Sequence, residues 1–207
     1  MNHYFSKSPE SRHEIRDIRF DFAGQRYVFA TDRQVFSRQH VDDGSRYLLD
    51  TMAAAERNLP EHEHMRGLDL GTGYGPVGIV LAKHLNIRMV LSDINERALA
   101  LAAQNAERNG VADRTDTVLS DGLSAIDGDF DIIATNPPIR IGKKAIYRMW
   151  QDAVGRLKPA GRLYMVIRKQ QGAESAVKYL KTLADDVAVL DKRKGYWMLC
   201  LTKGGGS

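Results

Sequence analysis

Residues 67–78 read Gly67-Leu68-Asp69-Leu70-Gly71-Thr72-Gly73-Tyr74-Gly75-Pro76-Val77-Gly78, and this stretch decides the fold. Its first four residues form a short apolar strand with one polar interruption, Asp69. Gly71, Gly73 and Gly75 follow at alternate positions; without Cβ atoms they can turn sharply and let the backbone approach a ligand closely. Pro76 has a φ suited to the first helical position, and Val77, Ile79, Val80 and Leu81 begin an apolar helix face. A glycine turn from a parallel strand into a helix leaves free backbone N–H groups at one end of a cleft. The stretch predicts a nucleotide-type cofactor site in a doubly wound sheet.

On the N-terminal side, residues 13–20 and 25–29 are extended stretches separated by the turn Ala23-Gly24, a hairpin ahead of the main sheet. Asp42-Asp43-Gly44-Ser45 opens a helix over residues 46–57, with Tyr47, Leu48, Leu49, Met52 and Ala53 inward. On the C-terminal side, the helix after the glycine turn ends near Leu85, and residues 89–93 make a strand that finishes in Asp93. Asn95 caps a helix that Asn109-Gly110 ends. Residues 117–121 form a strand ending in Asp121, and residues 130–135 a strand ending at Asn136-Pro137-Pro138-Ile139.

A helix over 143–157 and the turn Lys158-Pro159-Ala160-Gly161 lead to a strand over 162–167, then a helix over 172–183. Two final strands, 187–190 and 196–201, are joined by so short a turn (residues 191–195) that they must pair antiparallel. The pattern is α/β: a doubly wound, seven-stranded, mostly parallel Rossmann-like sheet with a C-terminal antiparallel hairpin and a small N-terminal β-hairpin extension. The expected division is a hairpin and helix at 1–60 packed on a main domain at 61–203, with a flexible tail at 204–207.

The composition suits a soluble cytoplasmic protein, with 43% apolar and 27% charged residues and no apolar run of membrane-spanning length. Cys200, the single cysteine, excludes an internal disulfide, and its apolar neighbours make it a core filler. A net charge of +4 permits an anionic partner without requiring one.

Gly73, Gly75 and Gly78 fit the dinucleotide spacing G-x-G-x-x-G, with Asp93 lying 20 residues beyond Gly73. Against a nicotinamide cofactor stand the acid at Asp69, which repels a pyrophosphate but suits an ammonium group, and the antiparallel C-terminal hairpin. Asn-Pro-Pro also has no evident use in hydride transfer.

Taken together in register, the acid with its Gly-x-Gly-x-Gly turn, the acids ending the next two strands, and Asn-Pro-Pro resemble a class I S-adenosylmethionine-dependent methyltransferase across residues 66–202. Val35-Phe36-Ser37, the Asp43-Gly44 helix start and Asn136-Pro137-Pro138-Ile139-Arg140-x-Gly142-Lys143 resemble, more narrowly, the ribosomal RNA small subunit methyltransferase C (guanine-N2) group in its short single-domain form. The resemblance implies S-adenosyl-L-methionine as cofactor and ribosomal RNA or the small ribosomal subunit as partner. It also implies that Asp69 and the amides around Gly71, Thr72 and Gly73 hold the methionine part. Asp93 would accept from the ribose hydroxyls, Ile94 would lie against the adenine, and Asp121 would accept from its amino group.

Asn136-Pro137-Pro138 has its own chemical logic as the catalytic corner. The exocyclic amine of guanine is a poor nucleophile because its lone pair is delocalised into the ring. The Asn136 side-chain oxygen and the Pro137 carbonyl can accept its two N–H bonds, while the proline rings remove donors and stiffen the chain. Methyl transfer from a cationic sulfur needs chiefly alignment, so no general base is invoked.

Ile139 stands where many amino-methylating relatives carry a base-stacking aromatic, and Phe36, flanked by Ser37 and Arg38, is the candidate replacement. Arg140, Lys143, Lys144 and Arg148 follow the corner as candidate phosphate contacts, extended by Arg33 and Arg38. Lys192-Arg193-Lys194 reads as a solvated turn at the far end of the sheet, and Glu61-His62-Glu63-His64 as solvated linker rather than a metal site. Other readings compatible with parts of the pattern are methylation of a protein glutamine or small-molecule amine, a non-catalytic RNA-binding module, and an NAD-dependent oxidoreductase.

Overall fold

The structure is a computed structural model that describes residues 15–32, 40–57, 64–137, 142–184 and 186–205. Strands β1 (Arg16–Phe22) and β2 (Gln25–Thr31) form the N-terminal antiparallel hairpin. Ala23 and Gly24 turn it at φ 48° and 76°, the twist that a two-residue hairpin turn demands. Helix α1 (Asp43–Glu56) follows, and its N-cap Asp42 accepts from the Ser45 N–H.

The remaining elements alternate as expected of an α/β chain. They are β3 (Arg66–Leu70), α2 (Pro76–His84), β4 (Arg88–Asp93), α3 (Glu96–Arg108), β5 (Thr115–Leu119), β6 (Phe130–Thr135), α4 (Lys143–Gly155), β7 (Leu157–Arg168), α5 (Ala173–Leu180), β8 (Asp186–Arg193) and β9 (Tyr196–Thr202). The seven-stranded sheet has the order β5-β4-β3-β6-β7-β9-β8, parallel through β7 and antiparallel at β7–β9 and β9–β8. Chain direction across the sheet reverses between β3 and β6, and in open α/β sheets a ligand crevice opens at such a switch point, beyond the carboxyl ends of the strands.

Alternating residues of the central strands feed two apolar layers. One lies under α1, α2, α3 and the hairpin and includes Leu48, Ile79, Ala102, Ile132, Tyr164 and Met198. The other lies under α4 and α5 and includes Leu68, Ile133, Trp150, Leu163 and Leu199. Cys200 is buried in the first layer, and burial pushes its thiol up to about 11, as befits a packing residue.

Two asparagines of α3 fasten the hairpin. The Asn105 side chain, wholly buried, accepts from Ala30 N (2.7 Å) and donates to Ala30 O (2.9 Å) and Tyr74 O (2.8 Å). One turn later Asn109 accepts from Val28 N (3.0 Å) and donates to Val28 O (3.0 Å). The side chains thus stand in for a neighbouring strand and satisfy backbone that would otherwise be buried unpaired. The bond to Tyr74 ties the hairpin to the glycine turn.

Several expected boundaries shift by a few residues, and two of these bear on the site or the sheet. The third strand ends at Leu119, opposite Asp93, so Asp121 lies past it in a turn where Asp121 O accepts from Ser124 N. The expected turn at 158–161 is absorbed into the long β7. Ala160 there takes φ 60°, the register slips between Phe130 and Ile132, and Ala160 N donates to Lys203 O. Backbone pairing on both sides carries the irregularity as a bulge rather than a break.

Candidate functional site

Gly71, Gly73 and Gly75 all take positive φ, at 79°, 58° and 93°. Gly71 opens outward, with nothing within 4 Å of where a Cβ would stand. A Cβ on Gly75 would meet Ile79 Cδ1 at 2.6 Å, and one on Gly78 would meet Leu91 Cδ2 at 2.1 Å, so these two glycines serve close packing of α2.

The expectation of free amides at this turn is not met. Gly71 N and Thr72 N both donate to Ser92 O (2.9 and 2.8 Å), Gly73 N to Asp93 Oδ2 (2.8 Å) and Gly75 N to Thr72 O (3.0 Å). Instead of presenting donors, the turn is stitched to the end of β4. A turn rimmed by acceptors and carboxylates suits a cationic ligand better than a phosphate.

Asp69 is buried, and its Oδ2 accepts from Thr72 Oγ1 (2.7 Å) and Gly78 N (2.8 Å). Burial pushes its pKa up to about 6; the two donors pull it down, and the charge of Asp93 adds to the rise. Among the described residues, no donor is found on its Oδ1. Asp93, half-buried at the end of β4, accepts from Gly73 N through Oδ2 and from Asn95 N (2.9 Å) through Oδ1. A carboxylate has about four lone-pair sites, so each oxygen keeps capacity for a ligand hydroxyl. Ile94 is half-buried next to it and Asp121 is exposed.

The Asn136 corner stands beside this turn. β3 pairs with β6 up to Asp69↔Ala134, and Thr135 Oγ1 then donates to Leu70 O at 2.8 Å. Gly71 and Asn136 are therefore the residues that leave two adjacent strands at the same level. Asn136 Nδ2 donates to Asp42 Oδ1 (3.0 Å) and Ser45 Oγ (3.0 Å) at the start of α1. A carboxylate offers no proton, so it fixes which way the amide lies: the nitrogen faces α1 and Oδ1 is left as an acceptor on the other side. Gly44 makes this approach possible, since a Cβ there would stand 3.0 Å from Asp42 Oδ1 and 3.2 Å from Asn136 Nδ2.

The sequence marked the helix start but not Asp42 and Ser45 as partners of Asn136. They lie 94 and 91 residues away, and only the fold brings them together. Pro137 is buried at the corner. Pro138, Ile139 and Arg140, together with Arg33, Phe36, Ser37 and Arg38, lie outside the described residues, as do Glu61, His62 and Glu63 of the acidic–histidine segment.

Lys143 and Lys144 are exposed in the first turn of α4, which has no acid in that turn and no side-chain cap, and Lys143 Nζ lies 5.3 Å from the Tyr147 ring centroid. Arg148 forms an exposed pair with Asp152 at 3.9 Å. The basic turn at 192–194 is exposed, as expected, but its place differs from the expectation. β9 runs antiparallel to β7 with Tyr196 opposite Arg168, which brings this turn to the same sheet edge as Asn136. No helix among the described residues is long and apolar enough to cross a membrane.

Known proteins resemble this chain in sequence and in fold. The methyltransferase small domain family matches residues 26–200. An uncharacterised protein of Bacillus subtilis, YbxB, is 38% identical over 202 residues, covering 95% of this chain and 96% of its own. The ribosomal RNA small subunit methyltransferase C of Hahella chejuensis is 39% identical over 140 residues, which are 65% of this chain but only 38% of that longer protein. Among solved structures, the Thermus thermophilus 16S rRNA N2 G1207 methyltransferase, in complex with AdoMet and guanosine, superposes with a TM-score of 0.80 at 24% identity over 95% of this chain and 52% of its own. That likeness is one of fold.

Proposed function

The chain belongs to the methyltransferase small domain family and is an S-adenosylmethionine-dependent methyltransferase; on that footing we propose that it methylates the exocyclic N2 amine of a guanine in small-subunit ribosomal RNA. The cofactor supplies an electrophilic methyl on a cationic sulfur. The residues present fit it: Gly71 opens to free space, with the carboxylates of Asp69 and Asp93 on either side of the turn. In this reading Asp69 attracts the ammonium end through Oδ1, the carbonyls of the turn accept from it, and Asp93 takes the ribose hydroxyls. Ile94 packs on the adenine, and Asp121 accepts from its amino group.

The observation that carries the substrate side is the locked amide of Asn136. With Nδ2 spent on Asp42 and Ser45, its Oδ1 is an acceptor standing beside the Gly71 opening. A planar amine held by Asn136 Oδ1 and the Pro137 carbonyl keeps its lone pair perpendicular to the ring plane, facing the methyl. Nearly all the catalysis is then alignment, for which effective molarities are large. Asp42 acts as a positioning residue, holding the acceptor in one orientation before substrate arrives.

Lys143 and Lys144 favour a polyanionic substrate. Two cations at the positive end of a helix dipole oppose the fold by roughly 0.3–1 kcal/mol each, a cost that a phosphate beside them would offset. Phe36, Ser37, Arg38, Ile139 and Arg140 complete the substrate side in this proposal.

Incubation of the protein with labelled S-adenosylmethionine and small ribosomal subunits or their RNA, followed by nucleoside mass spectrometry, tests the reading. N2-methylguanosine is the expected product. Label on a protein glutamine, or on a different nucleoside, would refute it.

A further inference from the structure

The turn that the sequence suggested was remote from the reaction site lies on its rim, and the residue pair that anchors it has the character of a nucleotide platform. Thr135 pairs with Met165, so Asn136 falls level with Val166. Side chains alternate along β7, and Tyr164 and Val166 enter the layer under α1. Arg168 is thus on the face toward which Asn136 points, one same-face step (roughly 7 Å) further out. Tyr196 sits opposite Arg168 on β9. The point where a Gly44 Cβ would stand is 3.2 Å from Asn136 Nδ2 and 3.3 Å from Tyr196 Cε1, so the ring edge adjoins the amide that orients the target. Both residues lie on the side of β6 away from β3 and β4, which carry the cofactor residues.

Arg168 is exposed, yet its guanidinium is held. It lies 4.6 Å from the Tyr196 ring centroid, and Nη2 donates to Tyr196 Oη at 2.5 Å. Tyr196 is braced in turn by Tyr47 at 5.7 Å, edge to face. Among the described residues, no carboxylate pairs with Arg168. Arg193 is the instructive contrast, since Asp50 (3.0 Å) and Asp191 (3.2 Å) neutralise it. Lys169 N donates to Gly195 O (2.8 Å), which clamps the β8–β9 turn beside Arg168 and brings up exposed Lys194 at φ 46°. Neither Lys169 nor Lys194 has a carboxylate partner among the described residues. A surface charge cluster is usually only solvated. A planar cation fixed on an aromatic ring next to an oriented amide acceptor has a more specific use.

We propose that Arg168 and Tyr196, with Lys169 and Lys194 beside them, bind the RNA strand flanking the target guanine. The guanidinium plane stacks on a base, and the three cations meet the adjoining phosphates. A guanidinium suits both tasks, since it is flat for stacking and forked for phosphate. This inference rests on the RNA reading above.

The test is equilibrium binding of a fluorescein-labelled single-stranded oligoribonucleotide containing one guanine, measured over a range of salt concentrations in the presence of S-adenosylhomocysteine. Single-turnover methylation of the same RNA is measured in parallel. Arg168→Gln should bind about tenfold more weakly and lower the slope of log Kd against log salt by about 0.7. Arg168→Lys should restore the slope but not the affinity, because a point charge cannot stack. Lys194→Gln should lower the slope by about 0.7 and weaken binding most at low salt, and Tyr196→Phe should retain most of the affinity. S-adenosylhomocysteine affinity should be unchanged in every variant, which shows that each folds. Wild type that binds and methylates the RNA while Arg168→Gln matches it in affinity and slope would overturn the platform alone. Wild type that neither binds nor methylates RNA would overturn the functional reading and the platform together.

Discussion

Asp42 does two jobs with one carboxylate: it caps α1 through the Ser45 N–H and turns the Asn136 amide. Both bonds end on the same oxygen, Oδ1. Asparagine caps helices about as well as aspartate and keeps that oxygen, so Asp42→Asn should leave both the melting temperature and turnover nearly unchanged. Asp42→Ala removes both bonds: stability should fall by about 0.5–2 kcal/mol and turnover by about tenfold or more with S-adenosylhomocysteine affinity unaltered, as kcat and calorimetric titration would register.

Asp69 makes a different prediction, in pH. Burial raises its pKa to about 6 in the folded chain, above the ordinary carboxylate value. The folded state therefore holds a proton that the unfolded state has released, and this group's contribution to stability declines as pH rises from about 4 to about 6, by roughly 3 kcal/mol in total. Urea denaturation across that range should show Asp69→Asn lacking this decline. Affinity for a cofactor bearing an ammonium group should tighten over the same interval in wild type and not in the variant.

Between elements, the informative joint is α3 against the hairpin and the glycine turn. Asn105→Leu keeps the volume but leaves Ala30 N, Ala30 O and Tyr74 O without partners in a buried place. Each unsatisfied group costs roughly 1–3 kcal/mol, so the urea midpoint should drop by the equivalent of about 3 kcal/mol or more. Cofactor affinity should fall with it, because Tyr74 belongs to the turn around Gly71.

None of this was visible in the sequence, where Asn109-Gly110 registered only as a helix stop and nothing marked Asn105. Hydrophobic spacing finds which face of α3 is buried, but it is silent on a polar side chain replacing a strand 75 residues away. The limits of β6 were legible to the residue because Phe130, Ile132, Ile133 and Ala134 form a short, mostly apolar run that Asn-Pro ends. The start of β7 was not, because Pro159, Ala160 and Gly161 signal a turn, while Leu157 and Arg162 pair with β6 on either side of them and Lys203 bonds to Ala160 and Gly161.

For the molecule as a whole, the sheet divides the work. The acid-and-glycine turn, with Asp93, lies over β3 and β4, while Asn136, Arg168 and Tyr196 lie over β6, β7 and β9. The first half was readable in sequence because its residues fall within one βαβ unit, about 25 residues long from Asp69 to Asp93. The second is assembled from segments near residues 42, 136, 168 and 196, whose meeting depends on an antiparallel β9 and on Gly44 letting α1 come close. The turn amides were misjudged for a related reason: local sequence shows that they leave a strand, not that Ser92 O and Asp93 wait to receive them.

If the halves are separable in space, they should be separable in function. The direct test is Asn136→Ala, with single-turnover methyl transfer and S-adenosylhomocysteine affinity measured on the same preparation. Transfer should fall by at least about a hundredfold while affinity stays within about twofold of wild type, a difference under roughly 0.5 kcal/mol. Affinity that collapsed along with turnover, or turnover that survived the loss of the amide, would contradict the role given to Asn136.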